Sequence, residues 1–242
     1  SLALVTFHTT DTVVADGVLD EPVWAHASWF DLGQPWAPAP RPSTTRAALV
    51  TTPSHLCVGA RMQDQDLVAR LTAHDSKTWR DDVLELFVDR DPREPSYAEL
   101  HVTPRGTTMD VRIPQQGAVF DEVVGDDVFH LQAGVQLDGT LGFGDLDRGW
   151  TAEICVPYAD LGGPPGDTPW RALVARYDYT TGARPTLWST GTLTKLSFHR
   201  LDEWDALHFV DPGSPPALPG PPTGPGPGAT GPTTGGSSSR PR

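Results

Sequence analysis

The sequence predicts an all-β protein, a two-sheet antiparallel β-sandwich with a single short N-terminal helix, on three observations. Apolar and polar residues alternate with period two through segment after segment, the pattern of strands with one face on a core. Gly, Pro and Asp collect between those segments, where turns need them. Nowhere does the apolar spacing of a long amphipathic helix appear.

The helix is expected over Asp20–Ala27. Asp20 is a good N-cap, Glu21 suits the positive end of the helix dipole, and Pro22 fits the first turn. The strands then follow in chain order. Leu56, Val58, Ala60 and Met62 alternate with Cys57, Gly59, Arg61 and Gln63. Leu84, Leu86 and Val88 alternate with Val83, Glu85 and Phe87. Ala98, Leu100 and Val102 alternate with Glu99, His101 and Thr103, and Leu131, Ala133, Val135 and Leu137 with Gln132, Gly134 and Gln136. Further strands fit Trp150–Val156, Arg171–Tyr179, Thr186–Thr192 and Ala206–Val210. Strands packed face to face make the sandwich.

One folded domain is expected over residues 1–211, followed by a tail over 212–242. From Pro212 onward the chain is Pro, Gly, Ser and Thr, with Ala217, Leu218 and Ala229 as apolar interruptions and Arg240 and Arg242 as the charged residues. Such a composition buries too little surface to offset the entropy of ordering, so a disordered tail or a linker to another module is expected.

A net charge of −13, with Lys77 and Lys195 as the lysines, argues against nucleic acid or an anionic membrane as partner, because both select basic patches. No apolar run approaches the roughly 18 residues that cross a bilayer, so membrane insertion is not expected. The opening Ser1-Leu2-Ala3-Leu4 lacks the basic region of a signal peptide, which leaves export open. Cys57 and Cys155 each lie in an apolar stretch, where cysteine packs as a small hydrophobe; a disulfide between them is the alternative. Eight scattered histidines offer no close pair at zinc-ligand spacing. No nucleophile elbow, phosphate-cradling glycine loop or zinc-protease helix motif occurs, so no catalysis is expected from this chain.

Several blocks stand in a fixed order: Asp16-Gly17-Val18-Leu19-Asp20-Glu21-Pro22-Val23-Trp24, His55–Asp64, Trp79-Arg80-Asp81-Asp82-Val83-Leu84-Glu85-Leu86-Phe87-Val88-Asp89, Tyr97–Thr107, and the late Trp170-Arg171-Ala172, Phe198-His199-Arg200 and Trp204–Phe209. In this order they resemble the family 9 carbohydrate-binding modules and their wider DOMON-like relatives, from about Asp16 to Phe209. The resemblance implies a sandwich that binds polysaccharide or oligosaccharide between aromatic side chains, structural calcium ions, and a role beside a secreted glycoside hydrolase. An extracellular or cell-surface setting follows from it.

Carried over residue by residue, the resemblance implies Trp79 as one aromatic clamp and Phe198 as the second, with Glu85, Glu99 and His101 as a polar floor; Arg176 is a further candidate for the ligand site. His101 stands where the family often has Arg, and Phe198 is a weaker platform than Trp. Strand alternation independently sets Glu85 opposite Leu84, Leu86 and Val88. The plainer alternative is that Trp79 packs in a loop while Glu85 pairs with Arg176 or Arg112. Calcium takes six to eight oxygens, and its candidate ligands are Asp64, Asp66, Asp81 and Asp82, with Asp75, Asp121, Glu122, Asp126 and Asp127 as further acidic groups. Two other readings stand beside the sugar one. A DOMON-like domain that binds haem would draw an axial ligand from Met62 or Met109, and both fall on inward strand positions. A sandwich without a sugar site would serve as an interaction module.

Overall fold

The computed structural model describes residues 3–36, 43–125, 129–142 and 146–210. The tail over 212–242 and the acidic residues Asp126 and Asp127 lie outside the described residues. Among those described, no helix is long and apolar enough to cross a membrane.

The described residues form thirteen strands. They are β1 (Leu4–His8), β2 (Phe30–Asp31), β3 (Gly33–Trp36), β4 (Thr45–Thr51), β5 (His55–Gln63), β6 (Val83–Asp89) and β7 (Tyr97–Val102), followed by β8 (Thr108–Ile113), β9 (Gln132–Asp138), β10 (Gly149–Pro157), β11 (Trp170–Asp178), β12 (Thr186–Ser189) and β13 (Asp205–Phe209). Two short helices accompany them, α1 (Pro22–His26) and α2 (Phe120–Val123). The strands run in the order β8-β7-β6-β11-β13-β1-β4-β5-β10-β9. Every pairing is antiparallel except those of β1, which lies parallel to both β13 and β4. The two antiparallel layers of the expected sandwich are therefore joined through β1 into one hydrogen-bonded sheet.

The main core lies between the layers. Leu84, Leu86 and Val88 of β6, Leu100 of β7 and Val174 of β11 meet Leu49 of β4, Val58 of β5 and Ile154 of β10. Leu84, Leu86, Val88, Leu100 and Val58 belong to the apolar sets that period-two patterning assigned inward, whereas Leu49 lies on β4, a strand the patterning did not mark. The outer faces are also covered, which is why β5 is buried on both sides along most of its length. On one layer, Trp24 and Val23 of α1 pack with Val13, Leu19, Val50, Cys57 and Cys155. Gly59 makes room for them: a Cβ there would meet Leu19 at 2.6 Å and the Trp24 ring at 2.8 Å.

Cys57 and Cys155 are direct partners across the β5–β10 register and are joined as a disulfide, with 4.1 Å between their Cα atoms. The bond and the hydrophobic packing coexist, because both residues belong to the cluster under α1.

The helix is shorter than expected. Glu21 holds the cap position without a side-chain cap, and its carboxylate instead accepts the Val14 N–H at 2.7 Å and the Trp24 indole N–H at 3.1 Å. Asp20 therefore caps nothing. The strand expected over Thr186–Thr192 ends at Ser189.

Candidate functional site

The outer face of the other layer carries the cleft. On β6 and β7 the residues opposite the core are Glu85 and Phe87, and Tyr97, Glu99 and His101, with Glu85 registered against His101 and Phe87 against Glu99. Tyr177 of β11 lies on the same face, because Ala175 is the register partner of Glu85 and side chains alternate along a strand. Glu85, Phe87, Tyr97, Glu99 and Tyr177, together with Trp79, Phe120, Phe198 and His199, line a cleft of about 440 Å³.

The Thr78–Arg80 turn, a single turn of 3-10 helix, sets both the wall and the floor. Asp81 and Asp82 brace the loop that carries it. Asp81 accepts the backbone N–H groups of Arg70 and Leu71 at 2.6 and 2.8 Å, and Asp82 accepts those of Val68 and Tyr179, each at 2.6 Å. The Tyr179 hydroxyl donates to the Trp79 carbonyl at 2.8 Å. Trp79 is half-buried and meets Phe120 edge to face, with ring centroids 4.7 Å apart. Thr78, fully buried, reaches Nδ1 of His101 at 2.8 Å. One turn thus holds an aromatic ring at the mouth and an imidazole at the base.

On the floor, His101 Nε2 stands 3.0 Å from Glu99 Oε1 and 3.3 Å from Glu85 Oε1. Nε2 and both oxygens of Glu85 have no hydrogen-bond partner. Burial pushes the Glu85 carboxyl up to about 8, against the pull of His101, with the Glu99 charge adding to the rise. Burial alone would lower the His101 imidazole, but Glu85 and Glu99 together hold it above its ordinary value. The site is therefore an aromatic cleft over a buried group of two carboxylates and one imidazole.

Two loops form the rim. Gln116 donates to the His199 carbonyl at 2.6 Å, and the Tyr97 hydroxyl meets His199 Nδ1 at 2.8 Å. Phe198 is 4% exposed and packs edge-on against Tyr177 with centroids 5.4 Å apart. It is wall and core at once.

Of the residues named from sequence, Trp79, Glu85, Glu99 and Phe198 line the cleft, and His101 lies directly beneath it. Arg176 does not join them. Its register partner is Leu84, so it projects to the inner face. There it is fully buried, donating to Asp64 Oδ2 at 2.8 Å, to Thr45 Oγ1 at 3.0 Å and to the Gln63 carbonyl at 3.0 Å. The pairing of Glu85 with Arg176 is excluded by the same alternation. Arg112 registers against Ala98 and donates to the Asp160 carbonyl.

The acidic residues considered for calcium have these partners. Asp64, Asp82 and Asp178 bring carboxylate oxygens within 4.8 Å of one another. Asp66 accepts the Thr181 N–H at 2.7 Å, and Asp81 is taken by Arg70 and Leu71. Arg176 already supplies the positive charge among these groups, so the donor set suits an ion-pair brace better than an oxygen cage. Asp75 lies apart, accepting the Asp110 N–H at 3.1 Å. On the α2 side, Asp121 pairs with Lys77. Met62 is packed between the layers while Met109 is packed under the cleft-bearing face. Both side chains are buried in these clusters.

Sequence reasoning passed over Tyr97, Tyr177, Phe120 and His199. Tyr97 was within reach, since it precedes Glu99 by two on one strand. Phe120 and His199 come from loops and have no periodic signal.

No protein-family model matches the sequence, and no curated protein sequence does. Solved structures do match. A candidate carbohydrate-binding protein from Bacteroides uniformis superposes with a TM-score of 0.66 at 12% identity, over 86% of this chain and 99% of that one. A family 9 carbohydrate-binding module from Caldicellulosiruptor kristjanssonii in complex with cellotriose gives 0.64 at 14% identity, over 91% of this chain and 100% of that one. The complex of such a module from the same organism with glucose gives 0.63 at 13% identity, covering 90% and 100%. The chain has the fold of the family 9 carbohydrate-binding modules.

Proposed function

We propose that this protein is a non-catalytic carbohydrate-binding module that seats a sugar in the cleft beside Trp79. The observation that carries this reading is the pairing of aromatic walls with buried carboxylates in one cleft of about 440 Å³. Sugars present apolar C–H faces that stack on an indole, and hydroxyls that need fixed acceptors. Trp79 and Phe120 supply the first need, and Glu99 and the Tyr177 hydroxyl the second. The modules of like fold bound to cellotriose and glucose support a β-linked glucan or its end as the ligand. Export is supported by the Cys57–Cys155 bond, since disulfides persist in oxidising compartments. The Pro/Gly-rich stretch over 212–242 suits a linker to a catalytic domain such as a glycoside hydrolase.

A titration of the protein with cellotriose, read by tryptophan fluorescence, tests the reading. Binding should be saturable and at least about tenfold weaker in Trp79→Ala. No signal with cellotriose or with a broad panel of glycans would overturn it.

A further inference from the structure

We propose that the floor of the cleft is a site for one divalent transition-metal ion, zinc in the first instance, held by carboxylate oxygens of Glu85 and Glu99 and by Nε2 of His101. The three residues come from adjacent strands: Glu99 and His101 share a face of β7 two residues apart, and Glu85 is the register partner of His101 on β6. Their ligand atoms lie within 4.8 Å of one another.

Geometry favours zinc over calcium. In tetrahedral zinc sites, bonds of about 2.0–2.1 Å place the ligand atoms about 3.3 Å apart. Nε2 lies 3.0 and 3.3 Å from the two carboxylate oxygens. Calcium prefers six or more oxygens, whereas imidazole with carboxylates suits a first-row transition ion. Three ligands leave at least one position open toward the cleft, as in zinc sites that take a water or an exogenous oxygen.

Polar accounting points the same way. Glu85 is 1% exposed, and both its oxygens and Nε2 of His101 have no hydrogen-bond partner. Buried polar atoms left so are costly, and a cation at their centre satisfies all three together. His101 does not itself line the cleft, so the ion sits beneath the level a sugar ring would occupy. The second shell is in place. Nδ1–H can donate to the buried Thr78 hydroxyl at 2.8 Å, which fixes the ring and turns the Nε2 lone pair inward. The net charge of the ligands, two carboxylates and a neutral imidazole, balances a divalent cation.

The test uses the full chain stripped with a chelator. Zinc is titrated by calorimetry, and cobalt is added separately to read the coordination geometry from its visible absorption. One equivalent of zinc and a tetrahedral-type cobalt spectrum are expected, with affinity lower by about 100-fold or more in Glu85→Gln and by about 10-fold in Thr78→Val. His101→Ala checks the imidazole ligand, its folding followed by circular dichroism. No uptake by the folded wild-type chain would overturn the site. Uptake that survives both Glu85→Gln and His101→Ala would also overturn it, placing the metal elsewhere, for instance at His74, Asp75 and Asp110. A parallel cellotriose titration separates this proposal from the sugar reading: sugar binding without metal uptake removes the metal alone, and metal uptake without any glycan response removes the sugar alone.

Discussion

Glu153 accepts the indole N–H of Trp24 at 2.8 Å, across 129 residues of sequence. The same carboxylate takes the backbone N–H groups of Gly17 and Asp16 at 2.8 and 3.1 Å. One buried glutamate on β10 thus pins the whole opening segment, Asp-Gly turn and helix together, onto the outer face of the sandwich. Gly59, its register partner on β5, leaves the space that the Trp24 ring fills.

Trp24→Phe keeps most of the ring volume but strips Glu153 of a donor. A loss of about 1–3 kcal/mol is expected from the unsatisfied buried acceptor. Gly59→Ala drives a methyl into Leu19 and Trp24, at about 1–3 kcal/mol for overpacking. Urea unfolding of each variant checks both values, and the sugar titration should be unchanged, since the cleft lies on the other layer.

Arg176 provides a second stability test. It is fully buried and compensates Asp64 at 2.8 Å and Asp178 at 3.4 Å. Arg176→Met leaves these carboxylates, and Asp82 beside them, without their cation. Breaking a buried pair in this way costs about 3–5 kcal/mol. Chemical denaturation would show the loss, while a small change in denaturation midpoint would mean that the carboxylates take up protons and dispense with the arginine.

The fold was legible in the sequence because the main core obeys a strict period of two. Leu84, Leu86, Leu100 and Val102 all face inward as their spacing requires. The same rule placed Glu85, Glu99 and His101 on one outer face, so the cleft floor was legible too. Arg176 was misplaced because the rule was not applied to β11, where alternation puts Tyr177 and Ala175 on that face and Arg176 on the inner one. The metal-type grouping was hidden for another reason. Glu85 meets His101 through strand register, and no linear spacing encodes which residue of β6 stands opposite which residue of β7.

The acid groups set an unusual pH dependence. Burial raises Glu85 to about 8, Glu153 to about 7, and Asp64 and Asp89 to about 6. Each of these exceeds the roughly 4 of an unfolded carboxyl. The folded state then binds more protons than the unfolded state between about pH 4 and 8, so stability falls as pH rises through that window. The chelator-treated protein should melt at a higher temperature at pH 5.5 than at pH 8. Each full proton of difference contributes about 1.4 kcal/mol per pH unit. Glu85→Gln should flatten the upper part of the slope. A melting temperature that climbs between pH 5.5 and 8 would show that these carboxyls are not held protonated.

Phe120 and Phe198 both border the cleft, and their substitutions should separate. Phe198 is 4% exposed and packs against Phe87, Tyr177 and the rest of the outer cluster. Phe198→Ala should therefore cost about 3–5 kcal/mol of stability. Phe120 is only partly buried and touches Trp79 edge to face, a contact worth about 0.5–1.5 kcal/mol. Its removal should leave the fold intact but free the indole to leave the cleft mouth, so Phe120→Ala is expected to weaken cellotriose binding with little change in melting temperature. Phe120→Tyr, which retains the ring, should bind as the wild type does. Equal affinities in the wild type and Phe120→Ala would mean that the Thr78–Arg80 turn and the Tyr179 hydroxyl hold Trp79 in place by themselves.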